Sequence, residues 1–525
     1  MNIEHYQHVV SLFILVTKVH SVSLRVDPLV QIEQGLVRGQ QATDGDYAHF
    51  LGIPYAKVNL TNPFGPSLPR PDFGEEIFNA YDGSVACPQS GDYPNQNLDC
   101  LILNVFTPNS ASTKNPLPVL VYVHAGALHS GRASHYNVSN IVNKGVVVVL
   151  INYRLGPYGF ICLDSPSAPG NQGFKDQYEA LLWVRKNIAA FGGNPMDVTL
   201  GGLSAGSRST LFHLYSSRDK LYNKIIAQSG AISFRTHNGD NEAIMLAEHL
   251  GFITNDTEQA LQFLTSTPHN LVIGAVTDLG IIFRACLERT FSGIENFVTK
   301  DDYPLTNEKK ISNTPVLIGH TNKEYRNYPY ENYGVCENDI FYCTLMRSFD
   351  LDESVLRYVA NTVRHSYLGD NSVSASEVEV ADFLADLDYK YATERTIKKL
   401  VMENANPVYK YVFSYGEFGT NHAGDFPFLF STNHDNEESQ LLSDRMTTMW
   451  TNFVKYGNPT PEVSDLLPVI WEPVSKDRRP YLDINTDLKM KSRFEKERTA
   501  FWDLFYYMYE DYQRKDFKKH KNALR

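Results

Sequence analysis

The chain has 525 residues, of which 42% are hydrophobic, 12% aromatic and 21% charged. This composition is typical of a globular protein with a large core and excludes an intrinsically disordered chain. The formal net charge of −12 argues against a general nucleic-acid-binding protein, because phosphate binding requires net or clustered positive charge. The length allows several average domains or one large α/β enzyme, and no linker rich in Pro, Gly or Ser marks a boundary.

The N-terminal residues predict an export signal. The apolar run 9–17 (VVSLFILVT) is too short to span a bilayer but fits the hydrophobic part of a signal peptide. We place the signal peptide at residues 1–23, with Ser21 and Ser23 as candidate cleavage points, and expect a secreted protein; a frayed tail is the alternative. No other run reaches about 18 apolar residues, so no transmembrane segment is expected.

Export would make asparagine glycosylation and disulfide formation possible further along the chain. Sequons make Asn59, Asn137 and Asn255 glycosylation candidates. The spacings of the cysteines do not resemble a zinc site, and no metal is expected. We prefer a Cys87–Cys100 disulfide, which would stabilise the fold by roughly 3 kcal/mol in an oxidising compartment. Cys336 and Cys343 either close a short loop or stay free thiols, and the pairing of the remaining two is open: Cys162 and Cys286.

The middle of the chain predicts a parallel sheet. Near-continuous apolar runs at 119–124 (VLVYVH), 146–152 (VVVVLIN) and 198–200 read as strands buried on both faces. Between the last two, apolar residues at helical spacing predict a helix over 176–191, which Gly192-Gly193 ends. A strand, a helix and a second strand in this order imply a parallel pair with a right-handed crossover.

The turn after the first of these strands consists of small residues, Ala125-Gly126-Ala127. Backbone amides of Gly126 and Ala127 would be able to converge with the amide of Ala205 and bind an oxyanion. A purely structural turn is the alternative reading.

The stretch Gly202-Leu203-Ser204-Ala205-Gly206 follows the strand at 198–200 and precedes a helical pattern. A G-x-S-x-G sequence in this position is typical of a nucleophile elbow, in which glycines permit a tight turn that exposes the serine hydroxyl. The pattern is short enough to arise by chance, so its context decides its meaning.

Two later loops would supply the partners that activate a serine, an imidazole and a carboxylate. Glu324 follows a predicted strand at 315–319, and His422 follows another at 408–415. Each residue alone has an ordinary structural interpretation: Glu324 as a solvated loop residue, and His422 as one of 16 histidines in the chain. The order Ser204, Glu324, His422 is the one expected of an α/β-hydrolase, which strengthens all three assignments. The basic tail, 513–525, is interpreted as a solvated end.

Several ordered motifs occur along nearly the whole chain after residue 30: 50–56 (FLGIPYA), 99–105 (DCLILNV), 152–157 (NYRLGP), 170–173 (GNQG), 191–195 (FGGNP), 450–453 (WTNF) and 456–459 (YGNP). Together these motifs closely resemble those of the type-B carboxylesterase and cholinesterase family of serine hydrolases. The resemblance implies an α/β-hydrolase fold, with a central, mostly parallel sheet flanked by helices over residues 24–512.

The resemblance also implies roles for single residues. Ser204 would be the nucleophile, His422 the base and Glu324 the acid, without any cofactor. The same resemblance implies an oxyanion hole made by Gly126, Ala127 and Ala205, the Cys87–Cys100 disulfide, and a structural ion pair between Arg154 and Asp176. It further implies that Ser229 forms hydrogen bonds close to the triad.

The sequence departs from the family pattern at several positions of the site. Leu203 stands where a glutamate is usual. The missing carboxylate should weaken the electrostatic stabilisation of a nearby cation, whether the imidazolium or a substrate ammonium, without removing the nucleophile. Ala125 replaces a glycine and requires a negative φ. Arg208 stands near the positive end of a helix, so we expect it to reach solvent or an acidic partner. Tyr325 replaces a common glycine, which predicts an altered loop shape.

A choline esterase of this family would be expected to carry a tryptophan between Cys87 and Cys100, because a quaternary ammonium binds aromatic faces. The only aromatic residue there is Tyr93. Together with Leu203, this favours an uncharged, apolar small-molecule ester as the substrate. The alternative is a catalytically weak or inactive binding or adhesion protein on the same fold. The sequence does not settle the oligomeric state.

Overall fold

The computed structural model describes residues 27–514 except 71, 164, 233–240, 300–306, 327–338 and 372–376. The predicted signal peptide (1–23) and nearly all of the basic tail (513–525) lie outside the described residues. The strands are β1 (Leu29–Ile32), β2 (Gly35–Arg38), β3 (Gln40–Gln41), β4 (Tyr47–Pro54), β5 (Ala56–Lys57), β6 (Leu68–Pro69), β7 (Phe78–Asn79), β8 (Ile102–Pro108), β9 (Leu117–Val123), β10 (Val147–Ile151), β11 (Gly193–Leu203), β12 (Lys224–Gln228), β13 (Val316–Thr321), β14 (Val408–Phe413), β15 (Pro480–Ile484) and β16 (Lys489–Ser492).

The α-helices are α1 (Ser139–Val142), α2 (Gly156–Phe160), α3 (Gln172–Asn187), α4 (Ala205–Tyr215), α5 (Glu242–His249), α6 (Thr257–Ser266), α7 (His269–Asp278), α8 (Glu308–Ile311), α9 (Ile340–Ser348), α10 (Glu353–Leu368), α11 (Glu377–Ala385), α12 (Tyr391–Met402), α13 (Pro427–Phe430), α14 (Glu437–Tyr456) and α15 (Lys496–Tyr509). A π-helical turn, Asp386–Lys390, joins α11 directly to α12.

A large sheet forms the centre of the molecule. Among the described residues its strand order is β16-β15-β14-β13-β12-β11-β9-β10-β8-β4-β3. Within this order, the block β15-β14-β13-β12-β11-β9-β10 is parallel throughout, whereas β8, β4, β3 and β16 pair in antiparallel fashion at the two ends. The predicted mostly parallel sheet flanked by helices is therefore confirmed.

The apolar runs of the sequence explain why the sheet is covered on both faces. Side chains of a strand alternate between faces, and in β9 Val119 and Val121 belong to one core cluster while Leu120 and Tyr122 belong to another. Strand β10 alternates in the same way. A third cluster packs α9, α10 and α11 against α15. Layers of helices on both faces thus bury the sheet that carries the site.

The predicted helix over 176–191 begins earlier than expected. Helix α3 starts at Gln172, after Asn171 with a φ of 54°, and residues 188–191 form a 3-10 turn. Its first turn is polar but buried, so hydrophobic periodicity does not reveal it. Asp176 in this turn receives two hydrogen bonds from the Arg154 guanidinium, both at 2.7 Å, and both side chains are fully buried.

Disulfides connect distant parts of the fold. Cys87 is bonded to Cys100, as expected, and Cys162 is bonded to Cys286 across 124 residues. Cys343 is disulfide-bonded as well, which decides against a free thiol there, and Cys336 lies outside the described residues. Of the sequon asparagines, Asn137 and Asn255 are exposed and Asn59 is partly exposed. No helix in the described part of the chain is long and apolar enough to cross a membrane.

Candidate active site

Ser204 lies at the junction between β11 and α4, with a φ of 56°. Such a value is rare for a residue with a side chain and marks a strained turn. The flanking glycines are required by space: a Cβ on Gly202 would lie 2.4 Å from the Gly206 carbonyl carbon, and a Cβ on Gly206 would lie 2.1 Å from the Val123 oxygen. The Ser204 hydroxyl consequently projects at the start of a helix whose first amides are free of helical partners.

Hydrogen bonds join the three residues predicted from widely separated loops. His422 Nε2 lies 2.9 Å from the Ser204 Oγ, and His422 Nδ1 lies 2.5 Å from the Glu324 Oε2. The first distance is that of an ordinary hydrogen bond, and the second is shorter than one. The structure therefore brings together a hydroxyl, an imidazole and a carboxylate separated by 218 and 98 residues in the chain.

The parallel sheet explains how these loops meet. Strands β11, β13 and β14 all end at the same edge, and Ser204, Glu324 and His422 follow them. The two later loops are tied to each other, since the His422 amide donates to the Glu324 carbonyl oxygen at 3.0 Å. The Asn322 side chain accepts from the Thr420 amide at 2.8 Å. These bonds fix the imidazole relative to the carboxylate.

Glu324 is held in its charged form. Burial alone would raise the pKa of this carboxyl, but the charge and hydrogen bond of His422 outweigh burial and hold the pKa below its usual value. The Ser229 hydroxyl contributes in the same direction, and the second carboxylate oxygen, Oε1, accepts from the Thr321 amide at 2.9 Å. The Glu324 side chain is fully buried and that of His422 is 30% exposed, so only the imidazole is open to a reactant.

The turn after β9 is strained in the manner of an anion-binding loop. Gly126, Ala127 and Leu128 all have positive φ values of 121°, 56° and 67°, whereas Ala125 does not. The φ of Ala125 thus meets the condition set by its methyl group. Within the described residues, the amides of Gly126, Ala127 and Ala205 donate to no other group. Free amides at the end of β9 and at the start of α4 suit a developing negative charge.

Two further residues lie directly behind the serine. Leu203 is 3% exposed and belongs to the same core cluster as Tyr122 and Tyr411, so it presents no charge to the site. Ser229 is fully buried with a φ of 46°, and its amide donates to the Gly319 carbonyl oxygen at 2.9 Å. Its hydroxyl favours the charged form of Glu324, as described above, but forms no hydrogen bond of regular geometry within the described residues.

Arg208 and Tyr325 meet a residue that sequence reasoning missed, Tyr389 of the π-helical turn. The Arg208 guanidinium carbon lies 5.5 Å from the centre of the Tyr389 ring, and its Nη2 is 3.4 Å from the Asp388 carbonyl oxygen. Arg208 is half-buried and meets no carboxylate among the described residues, in contrast to the expected solvent or acidic partner. The Tyr389 ring in turn lies 4.7 Å from the His422 ring. No local pattern in the sequence pointed to Tyr389.

Comparisons with known proteins identify the family of this chain. Within the described residues no cluster of His, Cys, Asp or Glu could hold a metal ion. The sequence model of the Carboxylesterase family matches residues 26–502. Esterase FE4 of Myzus persicae is 29% identical, with 89% of this chain and 90% of the relative covered. A carboxylic ester hydrolase of Bombus ignitus is 26% identical, with 91% and 94% covered.

A solved structure shows the same fold. The crystal structure of juvenile hormone esterase from Manduca sexta, with OTFP covalently attached, superposes with a TM-score of 0.80 at 25% identity. The superposition covers 92% of this chain and 100% of that chain. The expected α/β-hydrolase fold is confirmed, and the chain belongs to the carboxylesterase family.

Proposed function

We propose that this protein is a serine carboxylesterase that cleaves uncharged, apolar esters through an acyl-enzyme. Membership of the carboxylesterase family supports ester hydrolysis. The observation that carries the mechanism is the imidazole of His422, which contacts the Ser204 hydroxyl and the Glu324 carboxylate at the same time. This is the arrangement that converts a weakly nucleophilic hydroxyl into a strong nucleophile.

In the acylation step, the Ser204 Oγ attacks the ester carbonyl carbon while its proton passes to His422 Nε2. Glu324 accepts the Nδ1 proton in a hydrogen bond, which fixes the neutral tautomer with an accepting Nε2 and then stabilises the imidazolium. The amides of Gly126, Ala127 and Ala205 bind the oxyanion of the tetrahedral intermediate. His422 gives its proton to the alcohol oxygen, the carbon–oxygen bond breaks, and the alcohol leaves.

The second half of the cycle repeats this chemistry with water. His422 takes a proton from a water molecule, the resulting hydroxide attacks the acyl carbon, and the serine oxygen leaves with the proton returned to it. The carboxylic acid is released and the free enzyme is restored. Every proton moves through the one imidazole, so the proposed reaction needs no metal or organic cofactor. The covalently attached OTFP on the juvenile hormone esterase of Manduca sexta is in keeping with covalent chemistry on this fold.

The preference for an uncharged ester rests on the charges around the site. Leu203 is buried in apolar surroundings and offers no negative charge to a substrate cation. Tyr93, the only aromatic residue between the first two disulfide-bonded cysteines, already has the Arg132 guanidinium 5.8 Å from its ring centre. The Arg132 cation beside this ring would repel a cationic ester that approached it.

We also propose that the enzyme is exported. The disulfides among the described residues are typical of proteins from oxidising compartments. A signal peptide over residues 1–23 would direct the chain there, and Asn59, Asn137 and Asn255 would then be available for glycosylation. Expression in insect cells tests this: the protein should appear in the medium with an N-terminus near residue 24. Retention of residues 1–23 in cell lysate would contradict the proposal.

The decisive test of the activity compares wild type with Ser204→Ala on p-nitrophenyl butyrate. Turnover should fall to the rate of the uncatalysed reaction. Ser209→Ala is a matched control, because it removes a buried hydroxyl from the same helix that donates to the Ala205 carbonyl oxygen and accepts from the Gln177 side chain, without contact to the triad. Mass spectrometry after organophosphonate treatment should place one adduct on Ser204. Absence of both turnover and adduct in the wild type would support the binding-protein alternative instead.

A further inference from the structure

The π-helical turn Asp386–Lys390 is anchored firmly on the side away from the active site. Arg498 lies 3.2 Å from the Asp386 carboxylate, and Lys390 pairs with Asp382 at 3.1 Å and with Glu495 at 3.3 Å. A π turn widens a helix by one residue and is found frequently at functional sites. Here the widened turn lies between two regular helices, α11 and α12, so its shape is a specific feature of this segment.

The residue that this turn presents to the active site is Tyr389. Its ring centre lies 4.7 Å from that of His422, at an interplanar angle of 43°. Tyr325 packs against the same ring edge-on at 5.5 Å, and its hydroxyl donates to the Asp388 carboxylate at 2.9 Å. Arg208 lies over the ring as well. Tyr389 is therefore held by neighbours from two other segments while it touches the imidazole.

This contact matters because the imidazole must become a cation during the proposed reaction. Glu324 fixes the Nδ1 end of the ring, but the elbow offers no second negative charge, since Leu203 is apolar. An aromatic ring within about 6 Å of a cation attracts it through the negative charge on the ring face. The Tyr389 ring meets this distance. It also restricts the plane of an imidazole that is 30% exposed.

We propose that Tyr389 is a positioning residue that keeps His422 in its productive orientation and stabilises the imidazolium. This inference rests on the proposed esterase function. Arg208 packs on the same ring and supports its position, while its own positive charge offsets part of the attraction between the ring and the imidazolium. The effect belongs to the ring rather than to the hydroxyl, so phenylalanine should replace tyrosine at this position and an aliphatic residue should not.

The test measures kcat and KM for p-nitrophenyl butyrate in Tyr389→Phe, Tyr389→Leu and Tyr389→Met. Active-site titration with an organophosphonate counts folded sites, so kcat is expressed per functional site even if a variant folds poorly. Tyr506→Leu is the matched control: Tyr506 is buried, carries an arginine over its ring as Tyr389 does, Arg395 at 3.9 Å, and packs in the third core cluster.

Loss of the ring should lower kcat about tenfold with KM changed less than about twofold, as expected for an interaction that strengthens in the transition state. The phenylalanine variant should keep kcat within about twofold of wild type. Tyr506→Leu should lower the melting temperature and leave kcat per site unchanged. Wild-type kcat in both aliphatic variants would overturn the inference, as would an equal loss in Tyr389→Phe. A wild type without turnover or adduct would instead contradict the esterase function itself.

Discussion

Replacing Glu324 by glutamine isolates the effect of its charge, because the two side chains have nearly the same shape. The two carboxylate oxygens have different fixed partners: Oε1 accepts from the Thr321 amide at 2.9 Å, and Oε2 lies 2.5 Å from His422 Nδ1. The backbone amide can only donate, so the glutamine oxygen should face Thr321. Its NH2 group would then face Nδ1 and donate to it.

The consequence is a change of tautomer. With Nδ1 accepting, the imidazole proton moves to Nε2, which can no longer take the proton of Ser204. We expect kcat to fall about 10⁴-fold, or about 5 kcal/mol in activation free energy, which is the size of effect known for a wrong tautomer in a serine hydrolase. KM should change little, since no group that binds the substrate is altered. The assay is steady-state hydrolysis of p-nitrophenyl butyrate, with near-ultraviolet circular dichroism to confirm folding.

Glu288→Gln is the matched control for Glu324→Gln. Glu288 is also buried and also accepts from a backbone amide, that of Phe297 at 2.9 Å, but its other partners are Asn171, Asn296 and Lys175. This control should lower stability and leave kcat unchanged. A kcat within tenfold of wild type in a folded Glu324→Gln variant would refute the role assigned to the carboxylate. Equal losses in both variants would attribute the effect to folding.

Two further predictions concern stability and are checked by urea unfolding. Gly206→Ala should prevent stable folding of the elbow, because the new Cβ would lie 2.1 Å from the Val123 oxygen. In the control Gly274→Ala the new Cβ would have no atom within 4 Å, so this variant should stabilise α7 by about 0.5–1 kcal/mol. Equal effects of the two substitutions would contradict the steric argument. Asp382→Asn should lower the free energy of unfolding by about 2.5 kcal/mol at neutral pH. Burial alone would raise the pKa of the Asp382 carboxyl, but Lys390 and two further cations lower that pKa from 3.8 to about 2. Because the folded-state pKa is the lower one, this stabilisation is present above pH 3.8 and is lost as the pH falls through about 2; a difference between variant and wild type that persists unchanged below that pH would refute it.

The sheet was predictable because its signal is local. Each run that the sequence analysis read as a strand, including 119–124 and 146–152, is a strand in the structure, since burial on both faces requires continuous apolar residues. The elbow was predictable for a related reason, because the close approach of Gly206 to Val123 leaves no room for a side chain. His422 and Glu324 had no comparable local signal, and it was their order and the family resemblance that identified them.

Other features depend on contacts between segments that are far apart in the chain. The bond between Cys162 and Cys286 joins residues 124 positions apart, and no spacing rule predicts such a pair. The start of α3 was missed because its polar residues are buried through specific partners, such as Arg154 for Asp176. Tyr389 was missed because a π turn has no periodicity of its own in the sequence. The proposed role of Tyr389 depends only on its contacts with residues from distant segments.

The apolar residue at the elbow fits the polar groups that surround it. A carboxylate in place of Leu203 would need donors, yet the buried hydroxyls of its core cluster are engaged: Tyr122 donates to the Gln228 side chain at 3.0 Å and Tyr411 to Asp425 at 2.8 Å. Burial raises the pKa of the Asp425 carboxyl, so a second buried acid beside it would add repulsion without a partner. The site therefore concentrates its negative charge at Glu324, on the opposite side of the imidazole from Ser204. The selectivity for esters should follow from this distribution of charge. Neutral esters need only the imidazolium to be stabilised, whereas a cationic ester would need a negative charge that the elbow does not provide.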